Sequence, residues 1–382
     1  MKAKDLRYNR SCVEIDMEAL RNNIREIRKV TSPSASVMAV VKADAYGHGA
    51  VRVAKAVLSN GADQLCVATI DEAIELRKSG IDAKILILGY TCEHRFADVV
   101  KYDVDQSVYT MEDAEILSAE ALKQEKEVCI HIKLDTGMGR LGFPCNDESV
   151  ETITAISKLP GIKMYGIFSH FAVADEGEDS DAYTLSQFDK FMTMTEKLKA
   201  NNVTFVKRHI CNSAGIMRFP SMHLDMVRAG IILYGLIPPG CPKGELKPQL
   251  KPVMSWYARV INDKIIDEGV SVSYGRHYKA TKPSRILTIS VGYADGLSRH
   301  FSNGALDLII ENKRMPIVGN VCMDMCMVEA DDLEHEAYRN EEVLVFGKAR
   351  SADELAEVLG TINYEITCDV GKRVPRIYTD DK

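Results

Sequence analysis

Several classes of protein are excluded by what this sequence lacks. Its lysines and arginines form no cluster of the kind that binds a phosphate backbone, and the formal net charge is −7 at pH 7, so we expect no nucleic-acid partner. No apolar run is long enough to cross a bilayer without a charge, and the polar start of the chain has no secretion core. We therefore expect a cytoplasmic protein that has no membrane partner.

The sequence also gives no indication of a site built from paired cysteines or from carboxylates arranged around a metal ion. The ten cysteines are scattered without a C-x-x-C pair, and the closest two, Cys322 and Cys326, are too isolated for a four-ligand metal site. We predict reduced, mostly buried thiols. The acidic run at 175–181 is predicted to be a solvated loop, because nothing positions its carboxylates around a point. We therefore predict no metal.

The length of the chain predicts two domains. Its 382 residues exceed what one hydrophobic core usually supports, and a turn-rich segment at 237–242 separates two different sequence patterns. We place the first domain at residues 1–240 and the second at residues 241–382. About ten residues at the start of the chain could pack on the second domain, although they come before the first in sequence.

The first domain alternates short apolar runs with segments of helical period. The runs lie at 37–41, 65–69, 85–88, 103–109, 128–133, 164–168, 208–211 and 226–233. Mostly apolar runs of this length suit parallel strands that are buried on both faces, and eight is the strand number of a (β/α)8 barrel. We therefore predict an α/β fold with a TIM-type barrel, and an open doubly wound sheet is the alternative.

In the second domain, strands follow one another closely with glycine and aspartate turns between them. Examples are the segments 256–260, 286–289, 306–310 and 343–346, and a single helical pattern covers 352–359. This spacing is typical of a compact, mainly antiparallel β domain.

A lysine follows the first apolar run of the barrel pattern. Lys42 ends this run, at the strand end where barrel enzymes build their active sites. In apolar surroundings a lysine has a lowered pKa and becomes nucleophilic enough to form a Schiff base. Gly47 and Gly49 allow the backbone to pass close to a ligand. The alternative is an ordinary lysine that extends its amine into solvent.

The segment V-V-K-A-D-A-Y-G-H-G at 40–49 resembles the cofactor-lysine motif of the alanine racemases. Further motifs of that family follow in the same order, so the resemblance covers essentially the whole chain. It implies that Lys42 carries pyridoxal 5′-phosphate as a Schiff base and that Tyr46 contacts the phosphate. It also implies an isomerase that interconverts L-alanine and D-alanine through an external aldimine of the cofactor.

Later motifs that match the family assign further residues around the cofactor. Arg140 is expected at the ring oxygen and the substrate carboxylate, and Arg228 at the pyridine nitrogen, with His170 supporting it. The resemblance implies that Lys133 is carbamylated, and a salt bridge to Asp135 or another acid is the alternative. The residues expected around the phosphate are Asn212, Ser213, Gly230, Ile231 and Tyr364.

Inversion of a stereocentre is simplest with one base on each face of a planar carbanion. The resemblance implies that Lys42 is one base and Tyr274 the other. It also implies a homodimer in which Tyr274 and Met323 enter the partner's active site, where Met323 contacts the substrate carboxylate. Asn320 departs from the family, because an arginine is expected before V-C-M-D, and this leaves the local hydrogen bonding open.

Three other functions are alternatives to alanine racemisation. Serine or broad-specificity racemisation keeps the same chemistry, although Tyr364 favours a small pocket. A non-catalytic pyridoxal-phosphate carrier generally lacks the second domain and its tyrosine. A related decarboxylase is expected to have an acidic residue where this chain has Arg228.

Overall fold

A computed structural model describes the chain at residues 9–241, 248–334, 337 and 339–381. The described residues form two compact units. One unit, the barrel unit, contains those between Leu20 and Lys251, and the other, the β unit, contains those before Leu20 and from Pro252 onward. Most of the residues that we allowed to pack on the second domain, 1–8, lie outside the described part.

The strands are numbered here in chain order. They are β1 (Ser11–Ile15), β2 (Ser36–Val40), β3 (Gln64–Val67), β4 (Ile85–Ile87), β5 (Asp105–Val108), β6 (Val128–Asp135), β7 (Phe143–Pro144), β8 (Ile162–Phe168), β9 (Lys207–His209), β10 (Met226–Ala229), β11 (Met254–Ile266), β12 (Ser271–Val272), β13 (Tyr278–Lys279), β14 (Ser284–Ile289), β15 (Asp307–Ile310), β16 (Lys313–Pro316), β17 (Cys326–Glu329), β18 (Glu342–Phe346) and β19 (Arg376–Tyr378).

The helical segments follow the same numbering. They are α1 (Met17–Val30), α2 (Lys42–Gly47), α3 (Ala50–Leu58), α4 (Ile70–Lys78), α5 (Phe96–Lys101), α6 (Met111–Lys123), α7 (Asp147–Ile156), α8 (Asp181–Ala200), α9 (Ser213–Arg218), α10 (Ala352–Leu359) and α11 (Asn363–Cys368). Among the described helices, none combines the length and the apolar character that a membrane crossing requires.

Helix starts in the barrel unit follow from local capping. The Thr69 hydroxyl accepts a hydrogen bond from the Glu72 backbone N–H, and the Glu72 carboxylate accepts one from the Thr69 N–H. This reciprocal capping box fixes the start of α4. In α1, the apolar stripe of Leu20, Ile24 and Ile27 is fully buried.

Eight strands of the barrel unit form a parallel sheet in the order β10-β2-β3-β4-β5-β6-β8-β9, with the short β7 added to β6. Backbone hydrogen bonds link the two ends of this sheet, from Asp225 N–H to Arg208 O at 3.2 Å and from Arg228 N–H to Cys211 O at 3.0 Å. The strands therefore form a nearly closed barrel, and the predicted (β/α)8 fold is confirmed.

One predicted strand is too long. The apolar run at 226–233 was predicted as a single strand, but β10 ends at Ala229 and a 3-10 turn covers Ile231–Tyr234. The turn buries its apolar side chains as completely as the strand does. Apolar character alone therefore did not reveal where the strand ends.

The β unit is built mainly from antiparallel pairs, as predicted. β11 pairs antiparallel with β1, β14 and β18, and β15 pairs with β16. The structure places β1 in this unit because it pairs with β11 and, in parallel, with β19. The sequence analysis had assigned residues 11–15 to the first domain.

Candidate active site

Polar side chains gather at the carboxyl-terminal rim of the barrel. Lys42 follows β2, Arg140 lies in the turn after β6, and His170 follows β8. Ser213 follows β9, and Gly230 follows β10 directly. Because the carboxyl ends of parallel strands lie at one end of a barrel, these residues converge on one mouth.

The backbone after Lys42 has an unusual conformation. Ala43, Asp44, Ala45 and Tyr46 all have φ between 52° and 54°, so they form one turn of left-handed helix. For L-residues other than glycine this conformation costs about 1–2 kcal/mol per residue. Such strain persists only when the surrounding structure fixes the backbone.

Two carboxylates fix this left-handed turn. The Glu72 carboxylate accepts a hydrogen bond of 2.6 Å from the Ala43 N–H and another of 2.7 Å from the Ala68 N–H. The Asp44 carboxylate accepts one of 2.7 Å from the Ala50 N–H. Hydrogen bonds to charged acceptors contribute more than neutral ones, so they offset part of the strain.

Tyr234 supports the same turn from the barrel side. Its hydroxyl donates to Val40 O at 2.8 Å. Its ring centroid lies 4.4 Å from that of His48 and 5.0 Å from that of Tyr46. The turn that presents Lys42 is therefore held by packing as well as by hydrogen bonds.

Tyr46, Ser213 and Gly230 form a small cradle, a name used below for these three residues. The Gly230 N–H donates to Ser213 Oγ at 3.1 Å. A Cβ atom at Gly230 would lie 3.2 Å from the Tyr46 hydroxyl oxygen and 3.3 Å from Ser213 Oγ. The absence of a side chain at this glycine keeps the space between the two hydroxyls open.

Arg228 is buried on β10 and is surrounded by hydrogen-bond acceptors. Its Nη1 donates to His209 Nδ1 at 2.6 Å. Its Nη2 donates to Ser169 O at 2.7 Å and to Ile210 O at 3.0 Å, and it lies 3.3 Å from His170 Nδ1. Burial lowers the pKa of the guanidinium to about 10, so Arg228 is still a cation at neutral pH.

Positive charge and burial together disfavour further cations near Arg228. Burial, then the charges of Arg228, Lys133, Arg140 and Lys42, lowers the pKa of His170 well below its usual value. Burial, then Arg228 and Arg140, likewise lowers the pKa of Lys133 well below the usual value. Both groups are therefore driven towards their neutral forms.

The predicted alternative for Lys133, a salt bridge to Asp135, is not formed. Asp135 Oδ1 instead accepts from the N–H groups of Gly137 and Gly139, at 2.9 and 3.0 Å. The Lys133 Nζ lies 4.4 Å from the centroid of the Phe168 ring. Within the described part of the chain, no carboxylate forms an ion pair with Lys133.

The β unit presents the other predicted residues. Tyr274 is 71% exposed and Met323 is 53% exposed, whereas Tyr364, in α11, is half-buried. The Asn320 side-chain amide donates to Tyr274 O at 2.7 Å, and the Ser273 hydroxyl donates to Asn320 O at 2.6 Å. Asn320, which departs from the expected arginine, therefore fixes the turn that carries Tyr274.

Two family profiles match nearly all of the sequence. The profile "Alanine racemase, N-terminal domain" matches residues 15–238, and "Alanine racemase, C-terminal domain" matches residues 253–378. The chain belongs to the alanine racemase family. This membership extends over both units, so it covers Lys42 and Tyr274 alike.

Individual alanine racemases are similar over almost their full length. That of Clostridium tetani is 44% identical over 373 residues, which cover 96% of this chain and 95% of the relative. That of Methanococcus maripaludis is 45% identical over 369 residues, 96% of this chain and 97% of the relative. The solved alanine racemase structure from Clostridium difficile 630 aligns with a TM-score of 0.93 at 38% identity, covering 97% of this chain and 96% of the other.

The residues expected from the alanine racemase resemblance fall in both units. The barrel unit contains Lys42, Tyr46, Lys133, Arg140, His170, Asn212, Ser213, Arg228, Gly230 and Ile231, and the β unit contains Tyr274, Met323 and Tyr364.

Sequence reasoning missed several residues that support the alanine racemase site. Glu72 was not singled out, and its bond to Ala43 was not foreseen. His209 and His131 stood within quoted strand segments without a role. Tyr234 was not singled out at all. The capping spacing of Thr69 and Glu72 was the one local signal, because the other contacts join residues distant in sequence.

Proposed function

We propose that this chain interconverts L-alanine and D-alanine with pyridoxal 5′-phosphate as its cofactor. The observation that carries the proposal is the convergence of Lys42 with the cradle of Tyr46, Ser213 and Gly230 at one rim of the barrel, in a member of the alanine racemase family. An amine and an anion site at one barrel mouth are what an aldehyde cofactor with a phosphate group requires.

The donor set of the cradle fits a phosphate. Phosphate oxygens accept hydrogen bonds from hydroxyls and backbone N–H groups, and the Tyr46 and Ser213 hydroxyls flank the space that a Cβ at Gly230 would fill. The Asn212 side chain supports Ser213, because it accepts from the Gly215 N–H at 3.0 Å and so fixes the start of α9. Ile231 would add its backbone N–H, and Tyr364 its hydroxyl.

Two arginines would bind the remainder of the cofactor and the substrate. Arg140 is exposed after β6, and its planar fork can bind a ring oxygen and the alanine carboxylate. Arg228 would face the pyridine nitrogen. Because Arg228 is still protonated at neutral pH, it would donate a hydrogen bond to that nitrogen without transferring a proton to it. We expect this arrangement to limit side reactions such as transamination.

Pyridoxal phosphate, when bound, withdraws electrons from the amino acid and so makes its α C–H acidic. Lys42 Nζ would remove the α proton from D-alanine, and Tyr274 Oη would remove it from L-alanine. Each base would return a proton on its own face when the reaction runs in the other direction. Met323 would donate its backbone N–H to the substrate carboxylate.

The direct test is chiral chromatography of L-alanine incubated with the pure, cofactor-loaded protein. We expect D-alanine to accumulate until the two enantiomers are equal. The proposal would be overturned if a folded, cofactor-loaded sample converted none of the L-alanine. Competition between alanine and serine at equal concentration tests the alternative substrate through the ratio of kcat/KM values. Borohydride reduction, followed by peptide mapping, should place the cofactor on Lys42.

We also propose a homodimer in which Tyr274 and Met323 act in the partner's site. The support is the high exposure of both side chains on the β unit, which suits residues that serve another surface. Lys42→Ala and Tyr274→Phe should each be almost inactive alone. Mixed dimers of the two variants should regain activity, because one of their two sites then has both wild-type bases.

The mixed-dimer experiment discriminates between shared sites and sites formed within one chain. If Lys42 and Tyr274 of the same chain acted together, every site in the mixture would lack one base and no activity would return. Different affinity tags on the two variants give the matched control, since sequential purification on both tags recovers only dimers whose subunits have exchanged. Exchange without recovery would refute the shared site.

Lys133 is proposed to be carbamylated. Only a neutral amine adds carbon dioxide, and burial favours the neutral form of this lysine. The anionic product would also offset part of the positive charge of Arg140 and Arg228. Carbon NMR with labelled bicarbonate should show one carbamate signal that disappears in Lys133→Ala.

The cytoplasm is the proposed location. All ten cysteines are free thiols in the structure, which is the usual state in a reducing compartment. Fractionation of cells that produce the protein, with activity as the marker, tests this location.

A further inference from the structure

A row of buried polar side chains crosses the barrel interior below Arg228. Arg228 Nη1 donates to His209 Nδ1 at 2.6 Å, and His209 Nε2 lies 3.0 Å from His131 Nδ1. His131 Nε2 lies 3.3 Å from Asp105 Oδ2, and Asp105 pairs with Lys84 Nζ at 3.1 Å. These five residues are called the interior chain below. It begins near the carboxyl-terminal rim and ends at the opposite rim, where β4 and β5 start.

The proton positions along the interior chain follow from the chemistry of its ends. A guanidinium has only donors, so His209 Nδ1 must accept and a neutral His209 has its proton on Nε2. His131 Nδ1 then accepts from His209, which places the His131 proton on Nε2. That N–H points at the carboxylate of Asp105. The three hydrogen bonds between Arg228 and Asp105 therefore run in one direction, and Lys84 donates to Asp105 from the other side.

The interior chain links the buried Arg228 to a carboxylate. Arg228 is a buried cation, and in the described residues no carboxylate forms an ion pair with it. Burial removes the hydration of a charge, so a buried guanidinium needs fixed hydrogen-bond partners in the protein. The two histidines connect Arg228 to Asp105, which is itself buried. Asp105 is thus the carboxylate to which the guanidinium is linked, through two imidazoles.

The barrel wall leaves space for this arrangement. A Cβ atom at Gly166, on β8, would lie 2.1 Å from His131 Nδ1. The φ angle of Gly166 is not in the left-handed region, so the backbone there does not require glycine. The requirement is the space that the imidazole fills. This is a second observation, independent of the hydrogen bonds, that the position of His131 is built into the fold.

We propose that His209, His131 and Asp105, called the relay below, are positioning residues that hold the Arg228 side chain in one orientation and keep the imidazole beside its guanidinium neutral. The inference rests on the proposed function, which places Arg228 at the ring nitrogen. Burial, then the charge of Arg228, lowers the pKa of His209 well below its usual value, as a neutral relay requires. Asp105, which also pairs with Lys84 Nζ at 3.1 Å, is the final acceptor of the hydrogen bonds that start at Arg228.

Substitution of Asp105 tests the relay. Asp105→Ala removes the acceptor for His131, whereas Asp105→Asn can still accept through its side-chain oxygen. We expect Asp105→Ala to lower kcat about tenfold with little change in KM, and to alter the pH dependence of the bound cofactor's visible band without substrate. Asp105→Asn should lie between this variant and the wild type.

Glu127→Ala is the matched control. Glu127 forms a carboxylate–lysine pair with Lys163 at 2.6 Å, but both side chains are exposed and neither belongs to the interior chain. We expect its band, kcat and KM to be unchanged. If Asp105→Ala only lowers the melting temperature and leaves the band and kcat like the control, the relay is merely structural and the proposal fails.

Nitrogen NMR of the wild-type holoenzyme with isotope-labelled histidine gives a test that does not depend on folding of a variant. We expect two imidazoles that are neutral and protonated on Nε2 at neutral pH. A charged ring, or a proton on Nδ1 of His209 or His131, would overturn the relay. This failure is distinct from that of the proposed function, because an active racemase with the wrong tautomers refutes only the relay.

Discussion

The two neutral histidines beside Arg228 should make the stability of this protein depend on pH above the range in which its carboxylates titrate. Burial is the main cause of the lowered pKa of both His170 and His209. In the unfolded chain a histidine has a pKa of about 6.5. Below that value the unfolded chain therefore binds protons that the folded chain rejects, and stability falls as the pH falls.

The magnitude follows from this difference in bound protons. Each histidine that stays neutral in the folded state removes about 1.4 kcal/mol of stability for each pH unit below about 6.5. His170 and His209 together should therefore lower the free energy of unfolding by roughly 3 kcal/mol at about pH 5.5. Above about pH 7.5 the contribution of both histidines is fully present.

Denaturant unfolding followed by circular dichroism over this pH range measures the effect. His209→Asn keeps an acceptor for Arg228 but cannot titrate, so it should lose about half of the pH dependence. His94→Asn alters an exposed histidine and should keep the wild-type dependence. The reasoning is refuted if His209→Asn retains the full slope, or if the wild type shows none.

Three further substitutions test how the site is built. Gly230→Ala should abolish cofactor loading, measured by dialysis against pyridoxal phosphate, because the new methyl group fills the cradle; normal loading would contradict the assignment. Tyr234→Phe removes the buried hydrogen bond to Val40 and should lower the free energy of unfolding by about 1–2 kcal/mol in denaturant melts, whereas an unchanged midpoint would count against this bond. Asn320→Ala releases the turn of Tyr274 and should lower kcat/KM about tenfold. The loss should be equal for both enantiomers, because the equilibrium constant between them is unity. Wild-type kinetics would refute the role of Asn320.

Features with a local cause were predictable from the sequence. The barrel strands were found because apolar runs of β-branched residues alternate with segments of helical period. The family motifs located Lys42 and Tyr274 without any knowledge of their surroundings. The strand assigned to 226–233 was too long because a buried turn and a buried strand have the same composition.

Features that depend on distant contacts were not predictable from one sequence. His131 and His209 are 78 positions apart, and nothing local marks either ring as part of a relay. The left-handed turn also escaped prediction, because Ala43, Asp44 and Ala45 have no preference for positive φ strong enough to indicate it. The partners that fix this turn, such as Glu72, become visible only when the chain is folded.

The barrel wall has a weak seam between β9 and β10. Few backbone hydrogen bonds cross it, and Ser213 and Gly230 stand on its two sides at the upper end. A phosphate bound by both residues would connect β9 and β10 across this seam. The cofactor would then stabilise the barrel wall in addition to taking part in the reaction. Amide hydrogens along β9 and β10 should therefore exchange more slowly in the loaded protein than in the empty one.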